Sequence, residues 1–298
     1  MFVDYRGTVA GLLGWQWRSV VLFAAFATFV VALDRVVGLE LVEVGPLPLG
    51  VLGGAIGIFV SFRTNSCYDR WWEGRRLWGQ LVNTSRHFAT QVITYAGREA
   101  ETRSLVRRQI AYVHMLRCAL RGQNAFEDAD VRRFLDEVEC EALQRESNPN
   151  HALLHRQNEE LVRLADRGAL DTFRLQSLDR SIATLLDVQG GCERIKKTPF
   201  PPGYGFLATR LIQLFSLLLP MALVDQLGWM AIPITIAVCL GFTLISEVGR
   251  VLEDPFTMFW PALPLSALST TIEINLRQRL GETDVPPLPK PNDRGILM

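Results

Sequence analysis

Apolar residues in this chain follow two different patterns. In four places they run almost unbroken; elsewhere they recur at helical spacing among charges. The first run, VVLFAAFATFVVAL from Val20 to Leu33, is short for a hydrocarbon core of about 30 Å. With flanking residues such as Val36 and Val37 it gives a spanning helix over about residues 17–37. The second covers about 46–62, the third about 207–224, and the fourth about 227–246. Only Asp225 and Gln226 separate the last two, which predicts a tight hairpin there. Pro220 and Pro233 lie inside these runs, a placement that membrane helices tolerate when neighbours re-satisfy the backbone.

The long polar stretch, about 63–205, reads as helices. In LVRRQIAYVHMLRCALRG, Leu105, Ile110, Val113, Leu116 and Leu120 form one stripe, and Gly122 stands where a C-cap belongs. DADVRRFLDEVECEALQRE predicts a second amphipathic helix with Val131, Phe134, Leu135, Val138 and Leu143 on its apolar side, ended by Asn148-Pro149-Asn150. Two further helical patterns follow, divided at Gly168. Gly190-Gly191 predicts the end of the last, and Pro199, Pro201 and Pro202 forbid an immediate restart. Strand-like alternation is scarce. The pattern therefore predicts an all-α polytopic membrane protein: four spanning helices joined to a cytosolic helical bundle (about 63–205 and 247–280), with a proline-rich tail over 281–298.

Charge placement orients this layout. Bases cluster at Arg6 and Arg18, at Arg63, Arg70, Arg75 and Arg76, at Arg194, Lys196 and Lys197, and at Arg250. The 34–45 segment sets Arg35 against Asp34, Glu40 and Glu43. The excess of bases marks the cytoplasmic side, so both termini and the polar region are expected in the cytoplasm. No cleavage site follows the first apolar run, so no signal peptide is expected. Total charge is balanced, with 31 Lys and Arg against 31 Asp and Glu, and no basic–aromatic stripe calls for nucleic acid. Five scattered cysteines without a CxxC read as free thiols in a reducing compartment.

Within the second run, Gly50, Gly54, Gly57 and Ser61 recur at helical spacing. Such small-residue faces let membrane helices approach closely. Gly54, Ile58 and Phe62 also share a face, and in a ring of identical helices that face would make an apolar constriction that gates by dewetting. Spacing alone leaves both readings open. Arg63, Arg70, Trp71, Trp72, Arg75, Arg76 and Trp78 follow directly, a mixture suited to anchoring at a membrane interface. Glu193 and Arg194 are placed at the membrane edge, as a pair satisfying each other. Glu247 and Arg250 fit a helix-surface pair. After Glu253-Asp254 the residues Thr257, Met258, Phe259 and Trp260 offer few oxygens for a calcium site, which needs six to eight. His151 and His155 stand four apart without a supporting carboxylate shell, His114 has no axial partner for a haem, and Cys192 has no nearby histidine. No metal site, cofactor or catalytic group is expected.

The motifs SFRTNSCYDRWWEGRRLWG, GGCERIKKTPFP, LEDPF and LPLSALSTTIEINL together resemble the bestrophin family in its bacterial branch. They lie between Ser61 and Leu276, and the resemblance covers about residues 15 to 280. The resemblance implies a passive ion channel and not an enzyme. It implies a homo-pentamer around one pore in the bacterial inner membrane, with inorganic ions, the lipid bilayer and its own copies as partners. By position from SFRTNS, the narrow neck falls on Gly54, Ile58 and Phe62; the cytosolic exit the resemblance implies is assigned to Phe173. Anions such as chloride are the implied permeant class; a monovalent-cation channel of the same fold is the alternative, and a scaffold or receptor recruiting a cytosolic partner is the alternative of another class. Two departures stand out. Gly54 is small where the family's neck is bulky, which implies a wider outer end. The acidic run that binds calcium in animal relatives is replaced by TMFWPALPL.

Overall fold

A computed structural model describes residues 14–38, 46–97, 99–259, 261–292 and 295–297. Arg6, Glu40, Glu43 and Trp260, named above, lie outside the described residues. The described chain is helical, without a β-sheet. Its helices are α1 (Trp17–Arg35), α2 (Pro46–Ala96), α3 (Ala100–Arg121), α4 (Ala129–Arg132), α5 (Glu137–Gln144), α6 (Pro149–Asp166), α7 (Thr172–Lys197), α8 (Pro202–Leu227), α9 (Ala231–Leu252) and α10 (Leu265–Arg279). They fall into two compact units. An apolar unit ends at Trp71 and resumes over Pro199–Asp254; a polar unit comprises Trp72–Thr198 and the residues from Pro255 onward.

In the apolar unit, α1, α8 and α9 pack on one another. Phe23, Ile56, Val60, Ile212, Phe215 and Cys239 form the centre of the core. Two stretches are long and apolar enough to cross a membrane, Trp17–Arg35 and Gly203–Leu252. The expected turn at Asp225–Gln226 is displaced. Helix α8 runs through both residues to Leu227, and the chain reverses at Gly228, whose φ of +50° suits glycine, followed by a 3-10 turn. The Arg35 guanidinium explains the extra turn. It donates to the carbonyls of Val224 at 2.8 Å and Asp225 at 3.0 Å in the last turn, the Val224 carbonyl also accepting from the N–H of Gly228.

The polar unit is built around α3, which packs against α4, α6, α7 and α10. Leu105, Ile110, Val113, Leu116 and Leu120 are all buried, as the stripe predicts. Gly122 closes α3 in the left-handed conformation, with its N–H on the carbonyls near the helix end. The second predicted amphipathic helix is broken in two. Asp128 and Asp136 each turn back to cap a helix start, accepting from the N–H of Asp130 at 3.0 Å and of Glu139 at 2.7 Å. Capping takes the apolar phase with it: Phe134 and Leu135 are buried, while Val138 in the first turn of α5 is 79% exposed. Asn148-Pro149 does not merely stop a helix but starts α6, with the Asn148 side chain accepting from His151 N–H and Pro149 in the first turn.

Helix α7 does not end at Gly190-Gly191. It continues to Lys197, and its last turn carries Arg194, Lys196 and Lys197, which suit the negative helix end. A Cβ on Gly191 would stand 2.9 Å from both methyls of Leu77 on α2, so glycine is there to admit a close crossing. Beside it, Cys192 is fully buried. Burial, helped by the Glu193 and Glu73 carboxylates, pushes its thiol up to about 12. We therefore expect no alkylation of Cys192 by iodoacetamide in the folded protein at pH 8, and rapid alkylation after denaturation; peptide mapping that finds native Cys192 labelled would contradict this packing.

His114 is buried with its Nε2 3.1 Å from Glu273 Oε2. Burial opposes ionisation of Glu273, yet its hydrogen bonds with His114 and Arg277 hold the carboxyl below its usual range. His155 faces Glu159 at 3.4 Å, exposed on α6. Among the described residues no group of three His, Cys, Asp or Glu is placed to hold a metal ion.

Candidate functional site

Helix α2 places its neck candidates by register. One side of the helix is buried: Ile56, Val60, Arg63 and Cys67 recur at spacings of four, three and four. The other side carries Gly54, Ile58 and Phe62. Ile58 is 61% exposed and Phe62 69%, and together with Gly54, Gly57, Ser61 and Asn65 they line one open groove. Large apolar side chains left uncovered in a row mark a surface with a use.

The glycines divide between these two sides in a way their spacing did not reveal. Added Cβ atoms on Gly50 and Gly54 would meet nothing within 4 Å. On Gly53 a Cβ would stand 3.2 Å from the Phe215 ring, and on Gly57 3.5 Å from Phe242. Those rings, from α8 and α9, meet edge to face at 5.6 Å between centroids. Helix packing thus uses Gly53 and Gly57, while Gly50 and Gly54 face open space. Gly53 was missed because the grouping started from Gly50; the four-residue step from Gly53 to Gly57 was the available signal.

A polar clasp fixes which side faces out. Arg63 was expected to be an interface anchor, but its side chain is only 5% exposed. Its Nη1 donates to the Ser246 carbonyl at 3.2 Å and to Ser246 Oγ at 3.3 Å, and its Nη2 lies 3.6 Å from Glu253 Oε2. Gly205 of α8 leaves room for it; a Cβ there would stand 3.2 Å from Arg63 Nη2. The next residue, Thr64, donates to the Ile245 carbonyl at 3.2 Å. Arg70, half-buried, donates from Nε to the Glu253 carbonyl at 2.8 Å. Two arginines of α2 therefore converge on the end of α9. Glu253 is engaged on both its carboxylate and its carbonyl.

The remaining motif residues separate. Tyr68 and Trp71 stack with centroids 6.1 Å apart, and Trp72 is 54% exposed. Trp78 is not an interface residue: it is fully buried in the polar unit, with its indole Nε1 unpartnered among the described residues. Its place continues the buried spacing of α2, through Gly74, Trp78 and Leu81. Glu193 and Arg194 do not pair with each other, because adjacent helical residues point about 100° apart. Arg194 pairs with Glu73 of α2, and Glu193 with Lys197 at 2.9 Å and Gln189 at 2.7 Å. Glu247 does pair with Arg250, as its spacing predicts. Phe173 stands in the first turn of α7, 85% exposed.

Comparison with known proteins agrees over most of the chain. A family model described as bacterial/fungal bestrophin protein matches residues 1–278. A voltage-dependent anion channel-forming protein of Mesorhizobium japonicum is 33% identical over 90% of this chain and 85% of its own length. A Salmonella typhi protein of the same description is 35% identical over 83% of this chain and 81% of its own. Among solved structures, a bacterial bestrophin homologue from Klebsiella pneumoniae superposes with a TM-score of 0.82 at 30% identity, covering 88% of this chain and 97% of that one.

Proposed function

This chain belongs to the bacterial and fungal bestrophin family, and from that premise we propose that it forms a homo-pentameric, passive ion channel of the bacterial inner membrane. The observation that carries the reading is the row Gly54, Ile58, Phe62: apolar, exposed, and on the side of α2 that its own unit leaves uncovered. Five such helices around an axis cover that row with copies of itself. Ile58 and Phe62 then make stacked apolar rings, and such a constriction admits ions only against loss of their hydration. Gly54 leaves the outer end wide.

Four spans cross the bilayer in this reading: α1, the start of α2, α8 and α9. The bases flanking them put both termini and residues 63–205 in the cytoplasm. Trp71 and Trp72 sit at the membrane boundary, Arg63 and Arg70 hold the neck helix to α9, and Phe173 is assigned to the cytosolic exit. The two relatives described above are named for anion channels, which favours chloride-type conduction. An apolar neck discriminates little by sign, so fixed charges outside it decide.

Reconstitution into a planar bilayer under a potassium chloride gradient tests the whole reading. We expect a conductance whose reversal lies on the chloride side of zero. Reversal on the potassium side would replace anion with cation conduction within the same architecture. A pure, assembled protein with no conductance would instead favour a scaffold that recruits a cytosolic partner.

A further inference from the structure

We infer that Asp69 limits the anion preference of this channel, drawing cations to the cytoplasmic mouth of the neck and weakening the selection of anions. The inference rests on the pore reading of Gly54, Ile58 and Phe62 and deepens it.

Asp69 follows Phe62 by seven residues on one unbroken helix. At 3.6 residues per turn, seven residues return to within about 20° of the same direction. Asp69 is exposed, like Phe62 and Asn65 before it. Whatever space the Phe62 ring faces, Asp69 faces it about 10 Å further along.

Up to Trp71, the described part of α2 holds three charged residues, Arg63, Asp69 and Arg70. Both arginines are engaged with Glu253, Arg63 through an ion pair and Arg70 through the backbone carbonyl. Arg63 is also buried, so its charge is turned from the groove and offset. Among the described residues Asp69 has no hydrogen-bond or ion-pair partner. Of the charged residues on this stretch of α2 it is the one without a partner among the described residues. No contact explains an acid at this point, whereas a lumen does: rings of carboxylates at a pore mouth concentrate cations and deplete anions.

Arg76 follows on the same stripe, another seven residues along, and opposes this effect. Distance decides between them. Asp69 lies about 10 Å from the Phe62 level and Arg76 about 20 Å, while charge is screened over about 10 Å at 0.1 M salt. Of the two, the nearer, acidic ring therefore acts more strongly on the potential where ions enter the neck. The net outcome is a channel whose sign preference is shallow at the apolar rings and biased just below them.

The test measures the cation-to-anion permeability ratio of the full-length pentamer in bilayers, from reversal potentials in potassium chloride gradients. Asp69→Asn should lower that ratio about tenfold at low salt, within the range by which a focused charge changes local ion concentration, and the difference should shrink in 1 M salt. Asp69→Glu should retain the wild-type ratio, which a loss of fold would not predict. Asp69→Ser serves the same purpose if Asp69→Asn assembles poorly. Phe62→Ala, run alongside, separates the two claims. An unchanged ratio in Asp69→Asn with raised current in Phe62→Ala overturns the role of Asp69 and leaves the neck in place. No change in either variant, with both assembled, overturns the pore reading and this inference with it.

Discussion

Phe62→Ala and Ile58→Ala are each expected to raise single-channel current while the proposed pentamer still assembles. In the isolated chain neither side chain is packed: Ile58 is 61% exposed and Phe62 69%. Truncation therefore removes little that holds the subunit together. What it changes is the lumen. A ring of five phenyl or five sec-butyl groups leaves a passage that water vacates easily, and an ion crossing it gives up hydration. Alanine widens the ring and lets the hydration shell through. A barrier lowered by about 1.4 kcal/mol gives about tenfold more current. Because Gly54 already leaves the outer end wide, Ile58→Ala leaves Phe62 as the single constriction, and its effect should be at least as large. The competing account is that these side chains pack between subunits. Burial of that kind makes truncation cost about 2–5 kcal/mol. It would reduce pentamer yield on size exclusion and leave current unchanged. Loss of assembly without gain of conductance in both variants would remove Ile58 and Phe62 from the pore.

How far the sequence could be read depended on whether the deciding information was local. The outward face of α2 was local. Gly54, Ile58 and Phe62 are four apart, so register alone puts them on one side. The buried face was equally local, and it runs on through Gly74, Trp78 and Leu81. Following that spacing would have placed Trp78 inside; its chemical character, an indole beside arginines, pointed to an interface instead. Asp128 and Asp136 were visible as capping residues, but apolar periodicity over the same stretch suggested one continuous helix. Each cap outcompeted it, at about 1 kcal/mol per cap. Gly191 was read as a helix stop because glycine is a poor helix former, a penalty of about 1 kcal/mol. The contact that overrides the penalty, with Leu77, lies 114 positions away in the chain and leaves no local trace. Arg63 was the hardest case. An arginine at the end of an apolar run looks like a snorkelling base, and only the fold brings Ser246 and Glu253 to it.

That clasp should be the most sensitive polar contact in the apolar unit, and its two partners should not be equivalent. Removing one member of a buried ion pair costs about 3–5 kcal/mol, because a charge is left behind without its counterion. Which charge is left behind matters here. In Glu253→Gln the guanidinium stays where it is 5% exposed, with Nε already unpartnered and Ser246 as its remaining acceptor. Water reaches it poorly, so the penalty sits at the upper end of that range. In Arg63→Met the carboxylate left behind is 28% exposed and can rehydrate. Two hydrogen bonds to Ser246 disappear with the arginine, but the Ser246 hydroxyl is free to turn to another partner, and the methionine refills the site beside Gly205. That variant should lose about 2 kcal/mol, below the buried-pair range because of this rehydration. The double variant should lose less than the sum, since neither charge then remains unpaired. Thermal unfolding of the detergent-solubilised pentamer gives all three values on one scale. We expect the midpoint to fall furthest for Glu253→Gln, with Arg63→Met and the double variant above it. Strictly additive losses would mean that Arg63 and Glu253 are not energetically coupled. A larger loss for Arg63→Met than for Glu253→Gln would mean that α2 is held to α9 chiefly through Ser246, with the ion pair a minor part of the contact.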